Sequence, residues 1–384
     1  CCGEQKVNTT TSHWTFLTRL GLAGMCVALA ACSGPSRPKP TEIQGVPVLQ
    51  DVRTSWTANV GKVDFPLVVS AREDRIALAN SQGVVAVLDA TTGKDVWRLK
   101  LDQAIAAGVG SDGQQLAVVT RNNELVTLQD GKVQWRKSLP AQSFTAPLVA
   151  GARVFVLTAD RSVMAFDGAT GRQLWTQQRP GEPLVLKQAG VMLAFKNTLL
   201  VGLSGRLSGL DPNTGVIRWE SAIATPRGTN DVERLVDLVA PFDRAGDVVC
   251  ARAFQAAVGC VNAERGQGLW TRPSSGEMGV SGNDTVLVAP LSNGVVSAFN
   301  RNTGERLWDT ERLKYRTLSA PLVTPRGVLL ADNGGWLYLL SLADGALLNR
   351  IKLDNEELAT APVFAGGRYV VVTREGRVTG LQIP

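Results

Sequence analysis

LDATTGKDVW, at Leu88–Trp97, is one of five closely similar stretches in this chain. In each stretch an apolar residue is followed by Asp or Asn, a short polar turn, and a glycine four residues before a tryptophan. Because glycine adopts positive φ at little cost, its fixed place indicates the same turn each time. The pattern therefore predicts a recurring hairpin whose second strand carries a tryptophan at one position. The other four stretches are Phe166–Trp175 (FDGATGRQLW), Leu210–Trp219 (LDPNTGVIRW), Val261–Trp270 (VNAERGQGLW) and Phe299–Trp308 (FNRNTGERLW).

Tryptophan recurs through the chain at intervals of 38 to 51 residues, which indicates an internal repeat. Between these positions the sequence has short β-rich runs separated by turn residues, and no long run of helical periodicity. One unit shows strand-like runs at 320–323, 327–330, 336–340 and from 347 onward. Four strands in about 40 residues is the unit of a β-propeller blade. The repeat positions are Trp56, Trp97, Trp135, Trp175, Trp219, Trp270 and Trp308.

The two ends of the repeat predict how the ring closes. After Asn349, which takes the next tryptophan position, strand-like runs remain near 361–364, 369–372 and 378–383, without a fourth. Trp56, in SWTANVG, has the signature of a fourth strand with no blade before it. We therefore expect an all-β, eight-bladed β-propeller with tryptophan-marked repeats of the quinoprotein (PQQ) type, in which the N-terminal strand completes the last blade and removes the open sheet edge. An open superhelix is the alternative.

The N-terminal segment differs from the rest of the chain. Leu20–Ala31 is apolar and too short to span a membrane, and Cys32 follows it directly. The boundary, Leu29-Ala30-Ala31-Cys32, resembles a bacterial lipobox. We expect residues 1–31 to be a lipoprotein-type signal peptide, Cys32 to carry the acyl (palmitate) anchor, and residues 32–45 to form a tether before a propeller spanning 46–384. Ser33 after the cysteine resembles the pattern for the periplasmic side of the outer membrane.

Composition argues against several function classes. The formal charge of +6 is spread along the chain without a basic block, so no nucleic-acid partner is expected. The single histidine, His13, lies in the expected signal peptide, which leaves no catalytic triad and no histidine-ligated metal. The GxGxxG at Gly108–Gly113 precedes a strand-like run rather than the helix that dinucleotide binding needs. We expect no catalytic residue, no metal and no cofactor.

Two further cysteines, Cys250 and Cys260, flank a predicted hairpin that turns near Gln255. A two-residue turn there pairs Cys250 with Val261 and puts the two sulfurs on opposite faces, so a bulge is needed to bring them together. The sequence is therefore compatible with two alternatives, a disulfide between the two cysteines and a pair of buried thiols.

Two intervals between tryptophans are longer than the rest, and their extra residues lie at 179–187 and 224–238. Both mix apolar and charged residues, as a protein-binding rim does and as a neutral surface insertion also does. Together with the lipobox, the tether and the TG-x-x-x-W repeat, the second loop (VERLVDL) resembles the BamB family of lipoprotein subunits in the outer-membrane β-barrel assembly (BAM) machinery. The similarity covers essentially all of residues 32–384.

The resemblance implies a non-enzymatic scaffold that binds the barrel subunit BamA, and through it the BAM complex, and supports folding and insertion of outer-membrane β-barrel proteins, with nascent barrels as a further partner. It carries the family's BamA-contact residues onto this chain, with Lys187 where arginine is usual and Val239 where a second acid is frequent. The alternatives are a PQQ-dependent quinoprotein dehydrogenase and a lipoprotein propeller that binds another envelope partner. The implied contact residues are Leu184, Leu186, Lys187, Arg234 and Asp237.

Overall fold

The computed structural model describes residues 38–43, 45, 48–179 and 184–384, so the expected signal peptide and Cys32 lie outside the described residues. The described residues form 32 strands in eight four-stranded antiparallel sheets. No helix in this described part is long and apolar enough to cross a membrane. Each sheet is one blade, and seven of them use four consecutive strands.

The first four blades take these bounds. Blade 1 contains Ser70–Arg72 (β2), Arg75–Ala79 (β3), Val84–Asp89 (β4) and Asp95–Lys100 (β5). Blade 2 contains Ile105–Ser111 (β6), Gln115–Thr120 (β7), Glu124–Gln129 (β8) and Lys132–Ser138 (β9). Blade 3 contains Leu148–Ala150 (β10), Arg153–Leu157 (β11), Ser162–Asp167 (β12) and Gln173–Gln178 (β13). Blade 4 contains Met192–Phe195 (β14), Thr198–Leu203 (β15), Arg206–Leu210 (β16) and Ile217–Ala222 (β17).

The other four blades follow the same plan. Blade 5 contains Leu238–Ala245 (β18), Val248–Ala253 (β19), Ala257–Asn262 (β20) and Gln267–Pro273 (β21). Blade 6 contains Ser281–Gly282 (β22), Val286–Pro290 (β23), Val296–Asn300 (β24) and Arg306–Thr310 (β25). Blade 7 contains Leu322–Thr324 (β26), Gly327–Ala331 (β27), Trp336–Leu340 (β28) and Leu347–Lys352 (β29). Blade 8 contains Val363–Ala365 (β30), Arg368–Val372 (β31), Arg377–Gln382 (β32) and, from the N-terminal side, Arg53–Asn59 (β1).

Blade 8 closes the ring. Its sheet order is β1-β32-β31-β30, and Trp56 of β1 pairs with Gly380 of β32. The innermost strands β2 and β30 of blades 1 and 8 contact each other. The prediction of eight blades sealed by the N-terminal strand is therefore confirmed, and no terminal blade is left with an unpaired face.

The core lies between adjacent blades and is built from the second and third strands. In blade 7, β27 and β28 are almost wholly buried, whereas the outermost strands β5 and β9 contain only exposed and half-buried residues. A blade presents an apolar face to each neighbour, which is why its central strands are continuous runs of β-branched and aliphatic residues.

The propeller has two unlike faces. The glycine turns between third and fourth strands lie on one face, here named the glycine-turn face. The links from each blade to the next lie on the other, here named the linker face, together with the turns between second and third strands. This separation follows from the antiparallel order within every sheet.

Seven tryptophans each lie against the glycine turn of the neighbouring blade. The indole of Trp175 on blade 3 covers Gly215 in the glycine turn of blade 4, and its Nε1 donates to the carbonyl of Pro212 at 3.0 Å. Gly215 has φ +74°, and a Cβ built there would lie 2.6 Å from the indole. The glycine is therefore needed both for the turn and for the approach of the neighbouring ring. The covered glycines, in order from Trp56, are Gly93, Gly131, Gly171, Gly215, Gly266, Gly304 and Gly345.

The aspartate or asparagine of the repeat holds the same turn together. Asp167 Oδ1 accepts hydrogen bonds from the backbone nitrogen of Thr170 at 2.9 Å and from its hydroxyl at 2.8 Å. These hydrogen bonds, that of the Thr170 hydroxyl first, lower the pKa of Asp167 below its ordinary value. Asn300 accepts equivalent backbone bonds in blade 6.

The cysteine pair corrects the expected register. Cys250 pairs directly with Cys260, and the two form a disulfide. The two-residue turn, with Cys250 opposite Val261, was wrong because the hairpin turns through three residues, 254–256, with Gln255 at φ +53°. The odd-numbered turn puts both sulfurs on one face without a bulge between them. Both cysteines are buried beneath Trp270, which pairs with Cys260.

Candidate partner-binding site

The two links that flank blade 4 depart most from the repeat. They cover residues 179–191, between β13 and β14, and 223–237, between β17 and β18. Both lie on the linker face, so their described residues form one irregular surface across blades 3, 4 and 5. The implied contact residues all belong to these two links.

A buried arginine joins the two links. Arg161 lies in the turn between β11 and β12, and its side chain is only 6% exposed. Its Nη2 donates to the carbonyl of Leu184 at 3.1 Å, and its Nη1 donates to Asp237 Oδ1 at 3.2 Å. One guanidinium therefore ties the link before blade 4 to the link after it. Such a multiply bonded arginine is a rigid support because its donors are fixed in one plane.

The turn of blade 4 completes this network. Ser204 accepts a bond from Arg161 Nη1 at 2.9 Å, and its backbone nitrogen donates to Asp237 Oδ1 at 3.1 Å. The Asp237 side chain is 16% exposed and faces inward to these donors. Among the implied contact residues, Asp237 thus holds the surface in shape and offers little of its carboxylate to a partner.

Apolar residues fix the second link from below. Val236 is buried, and it packs with Ile223 and Leu238 in one cluster. Gly205 lies under this link, because a Cβ there would be 2.5 Å from the carbonyl of Ala224. The base of the link is therefore part of the blade 4–5 core.

The outer parts of both links are exposed. Leu184 and Val232 keep 39% and 69% of their surface in solvent, and Lys187 and Arg234 are exposed as well. Leu186 is half-buried beside a cavity of about 50 Å³. Exposed aliphatic side chains next to charged ones are typical of a protein-binding surface. The structure thus brings all five implied residues to one face, with Leu184, Lys187 and Arg234 outermost.

The turn within the second link is held by its own acid. Glu233 Oε2 accepts the backbone nitrogen of Thr229 at 2.9 Å, and Asn230 Oδ1 accepts that of Glu233 at 3.0 Å. The hydrogen bond from Thr229 lowers the pKa of Glu233. This reciprocal pair resembles a capping box and gives the exposed tip near Val232 a defined shape.

The centre of the ring contains a larger cavity of about 820 Å³. Its carboxylates are held by arginines: Asp332 pairs with Arg316 at 3.0 Å, and Glu357 with Arg374 at 2.6 Å. Asp243 pairs with the buried Arg301. No group of three or more His, Cys, Asp or Glu in the described part of the chain is placed to hold a metal. This donor set does not fit the metal-bound quinone that the dehydrogenase alternative requires.

Arg161 is the residue that sequence reasoning missed. It lies in Ala159-Asp160-Arg161-Ser162, a short turn without an unusual motif. Its φ of +64° and its reach to Asp237, 76 positions later, depend on how blades 3, 4 and 5 are arranged. No local pattern encodes such a contact.

These features define a class: an eight-bladed propeller with tryptophan-docked blades and an irregular surface on one face. The family model described as outer membrane protein assembly factor BamB matches residues 81–291 and 292–383. The chain belongs to the BamB family.

Individual relatives agree with this assignment. The chain is 37% identical over 366 residues to the outer membrane protein assembly factor BamB of Burkholderia pseudomallei, covering 94% of this chain and 96% of that protein. It is similar to the crystal structure of BamB from Moraxella catarrhalis, with a TM-score of 0.78 at 22% identity over 86% of this chain and all of that one. A quinohemoprotein alcohol dehydrogenase from Comamonas testosteroni has a TM-score of 0.67 at 13% identity, covering 88% of this chain and 77% of that one, which shows a shared fold alone.

Proposed function

We propose that this protein is a scaffold subunit of the outer-membrane protein assembly machinery, acting by binding rather than by catalysis. Family membership supports an assembly role, since the relatives are named assembly factors. The observation that carries the proposal is the surface built by the two links around blade 4, which Arg161 joins into one unit. A preformed surface binds at a smaller entropic cost than two independent loops.

The partner proposed for this surface is the periplasmic region of BamA. Leu184, Lys187 and Arg234 make the contact, while Leu186 and Asp237 position the links from below. An exposed leucine beside two cations suits a partner surface with an apolar pocket bordered by carboxylates. Through BamA the subunit joins the BAM complex, and nascent barrel proteins are a further partner of the same scaffold.

The proposed attachment is a lipid on Cys32 after removal of residues 1–31, with residues 32–45 as tether on the periplasmic side of the outer membrane. Acyl chains inserted by one cysteine hold a protein at a bilayer without a spanning segment. The described residues 41–43 of this range already contact the propeller, because Thr41 donates to the carbonyl of Lys314 at 3.0 Å.

Capture of the protein by the immobilised periplasmic region of BamA tests the partner. The double variant Leu184→Ser with Lys187→Glu is expected to lose capture by about tenfold or more, since removal of a central apolar contact and of one charge each cost about 1 kcal/mol or more. The matched control is Val216→Ser with Arg172→Glu, which likewise replaces an aliphatic residue by serine and a cation by glutamate, at exposed positions on the glycine-turn face.

The control pair should bind like the unchanged protein, and both pairs should melt at similar temperatures because all four side chains are exposed or largely so. If the linker-face pair still binds BamA normally, the contact lies elsewhere on the propeller. If the unchanged protein does not bind BamA but co-purifies with another envelope protein, the alternative of a different partner replaces the proposal.

A further inference from the structure

The link between blades 6 and 7 holds an aromatic ring out in solvent. Tyr315 keeps 43% of its surface exposed, although the neighbouring Leu313 is fully buried. Its φ is +66°, a conformation that is rare for a bulky residue. The backbone is kept there by a hydrogen bond from Tyr315 nitrogen to the carbonyl of Asn293 in blade 6. The exposed ring is thus part of a fixed loop rather than of a free one.

Basic side chains surround this ring and a second aromatic residue. Arg312, three positions before Tyr315, is exposed, and Lys314 Nζ lies 5.6 Å from the Tyr315 ring centre. On blade 7, the half-buried Trp336 has Arg350 and Lys352 over its ring, at 4.7 and 5.3 Å from the centre. We name this surface the blade 6–7 patch, and it consists of Arg312, Lys314, Tyr315, Trp336, Arg350 and Lys352.

The patch keeps a positive balance after its ion pairs are counted. Glu311 pairs with Lys314 at 3.0 Å, and the buried Asp332 pairs with Arg316 at 3.0 Å. Arg312 and Lys352 are exposed. Cations next to an exposed aromatic ring form the composition found where proteins meet lipid headgroups.

The chain itself reaches the propeller at this place. Thr41 donates to the carbonyl of Lys314 at 3.0 Å and accepts from Arg316 Nη2 at 3.0 Å. Ile43 packs on the buried cluster that contains Leu313. Only nine positions separate Thr41 from Cys32. Nine residues span at most about 30 Å when fully extended.

We infer that the blade 6–7 patch is a second membrane contact, which binds the anionic phospholipid headgroups of the leaflet that holds the lipid anchor. The inference rests on the proposed lipidation of Cys32, which would hold this edge of the linker face within about 30 Å of the headgroups. A lipid on a tether fixes position but leaves the propeller free to rotate. An exposed tyrosine at the headgroup level, with cations facing acidic lipids, fixes its orientation as well.

This contact leaves the proposed partner site free. The blade 6–7 patch and the links around blade 4 share the linker face but belong to different blades. A propeller held at blades 6 and 7 therefore presents blades 3 to 5 to a partner beside it in the same membrane.

Vesicle binding tests the inference without the lipid anchor. The chain from residue 32 onward with Cys32→Ser is mixed with vesicles of phosphatidylcholine alone or of phosphatidylcholine with phosphatidylglycerol, and bound protein is measured by flotation. Binding is expected only to the anionic vesicles and should fall at high salt, because screening shortens the reach of the charges. Equal binding to both kinds of vesicle, or none to either, would overturn the inference.

Variants locate the contact. In the Cys32→Ser chain, Arg312→Glu with Lys352→Glu should lower the partition onto anionic vesicles by about tenfold or more, since each cation near an acidic leaflet contributes about a fivefold factor. Tyr315→Ser should lower it by a smaller factor at unchanged charge. The matched control, Lys94→Glu with Arg172→Glu, changes the net charge equally on the glycine-turn face and should keep most of the binding.

An equal loss in both charge-reversed pairs would show that net charge alone drives the binding and would overturn the patch. The Arg312→Glu with Lys352→Glu variant should still be captured by BamA. Loss of vesicle binding with intact capture therefore reports on the patch, and loss of capture with intact vesicle binding reports on the proposed function.

Discussion

Seven of the junctions between blades are filled by a tryptophan over a glycine turn, whereas the junction from blade 7 to blade 8 is filled by Asn349. In an ordinary blade the third and fourth strands are joined by the turn that the preceding tryptophan covers. In blade 8 these two strands, β32 and β1, are the C-terminal and N-terminal ends of the propeller chain. No glycine turn joins them, so an indole at 349 would have no turn to cover.

A different contact replaces the ring at this junction. Asn349 Nδ2 donates to the carbonyl of Gln50 at 2.6 Å, and the nitrogen of Leu49 donates to the carbonyl of Leu348 at 3.0 Å. The tryptophan and the glycine turn that it covers therefore form one unit, which is absent as a whole where the chain ends meet.

Removal of the ring should expose the largest difference between the two kinds of junction. Trp175→Ala is expected to lower the free energy of unfolding by about 3–5 kcal/mol, because a large buried ring is lost and a cavity remains. Asn349→Ala should cost only about 1 kcal/mol, the value of one hydrogen bond. Denaturant titrations followed by circular dichroism measure the free energy of unfolding of both variants. Tryptophan fluorescence gives a second measurement for Asn349→Ala, which keeps all of its tryptophans. Equal losses of unfolding free energy in the two variants would mean that the tryptophans do not stabilise the junctions more than Asn349 does.

The regular part of the molecule could be predicted from the sequence because the residues that determine each blade lie close together and recur in every repeat. The glycine turn and its tryptophan lie within ten residues, and SWTANVG carries enough of the pattern to predict the ring closure. The irregular part could not be predicted in the same way. The hairpin at Gln255 turns through three residues without glycine or asparagine at the positive φ, so its register left no local signal.

Long-range contacts could not be predicted from the sequence for a related reason. Arg161 reaches Leu184 and Asp237 because three blades place them side by side, and none of these residues identifies the others in sequence. The location of the candidate surface could be inferred from the longer tryptophan intervals and from a family resemblance. The sequence did not show which residues of this surface face outward or that Asp237 faces inward, because both depend on the arrangement of the blades.

A comparison of two glycine turns distinguishes two reasons for the glycine: the space that the neighbouring ring needs and the positive φ of the turn. Gly215 and Gly131 have nearly equal φ, +74° and +71°, but a Cβ would lie 2.6 Å from the ring of Trp175 at the first and 3.6 Å from Trp97 at the second. Alanine in a left-handed conformation costs about 1–2 kcal/mol at either position. Gly215→Ala should cost a further 1–3 kcal/mol or so, because the neighbouring ring must shift.

The same denaturant titration compares the two alanine variants, and the difference between them isolates the contact with the ring. Gly131→Ala is the control, since Gly131 also lies four positions before a tryptophan and has nearly the same φ, although its turn has only two residues. A loss at Gly131 as large as that at Gly215 would show that backbone conformation alone requires the glycine.

The smallest expected effect concerns the side chain whose oxygen holds the turn, which belongs to Asp167 in blade 3 and to Asn300 in blade 6. Hydrogen bonding lowers the pKa of Asp167 in the folded protein, so its contribution to stability is fully present above the ordinary pKa of about 3.9 and is lost as the pH falls through the lower folded value. Asp167→Asn keeps an acceptor, as Asn300 does, but does not titrate. The unchanged protein should therefore be the more stable one near neutral pH, and its advantage should shrink below about pH 4. Unfolding midpoints of both proteins across this range measure the advantage, and a gap that stays constant with pH would contradict the role assigned to the Asp167 carboxylate.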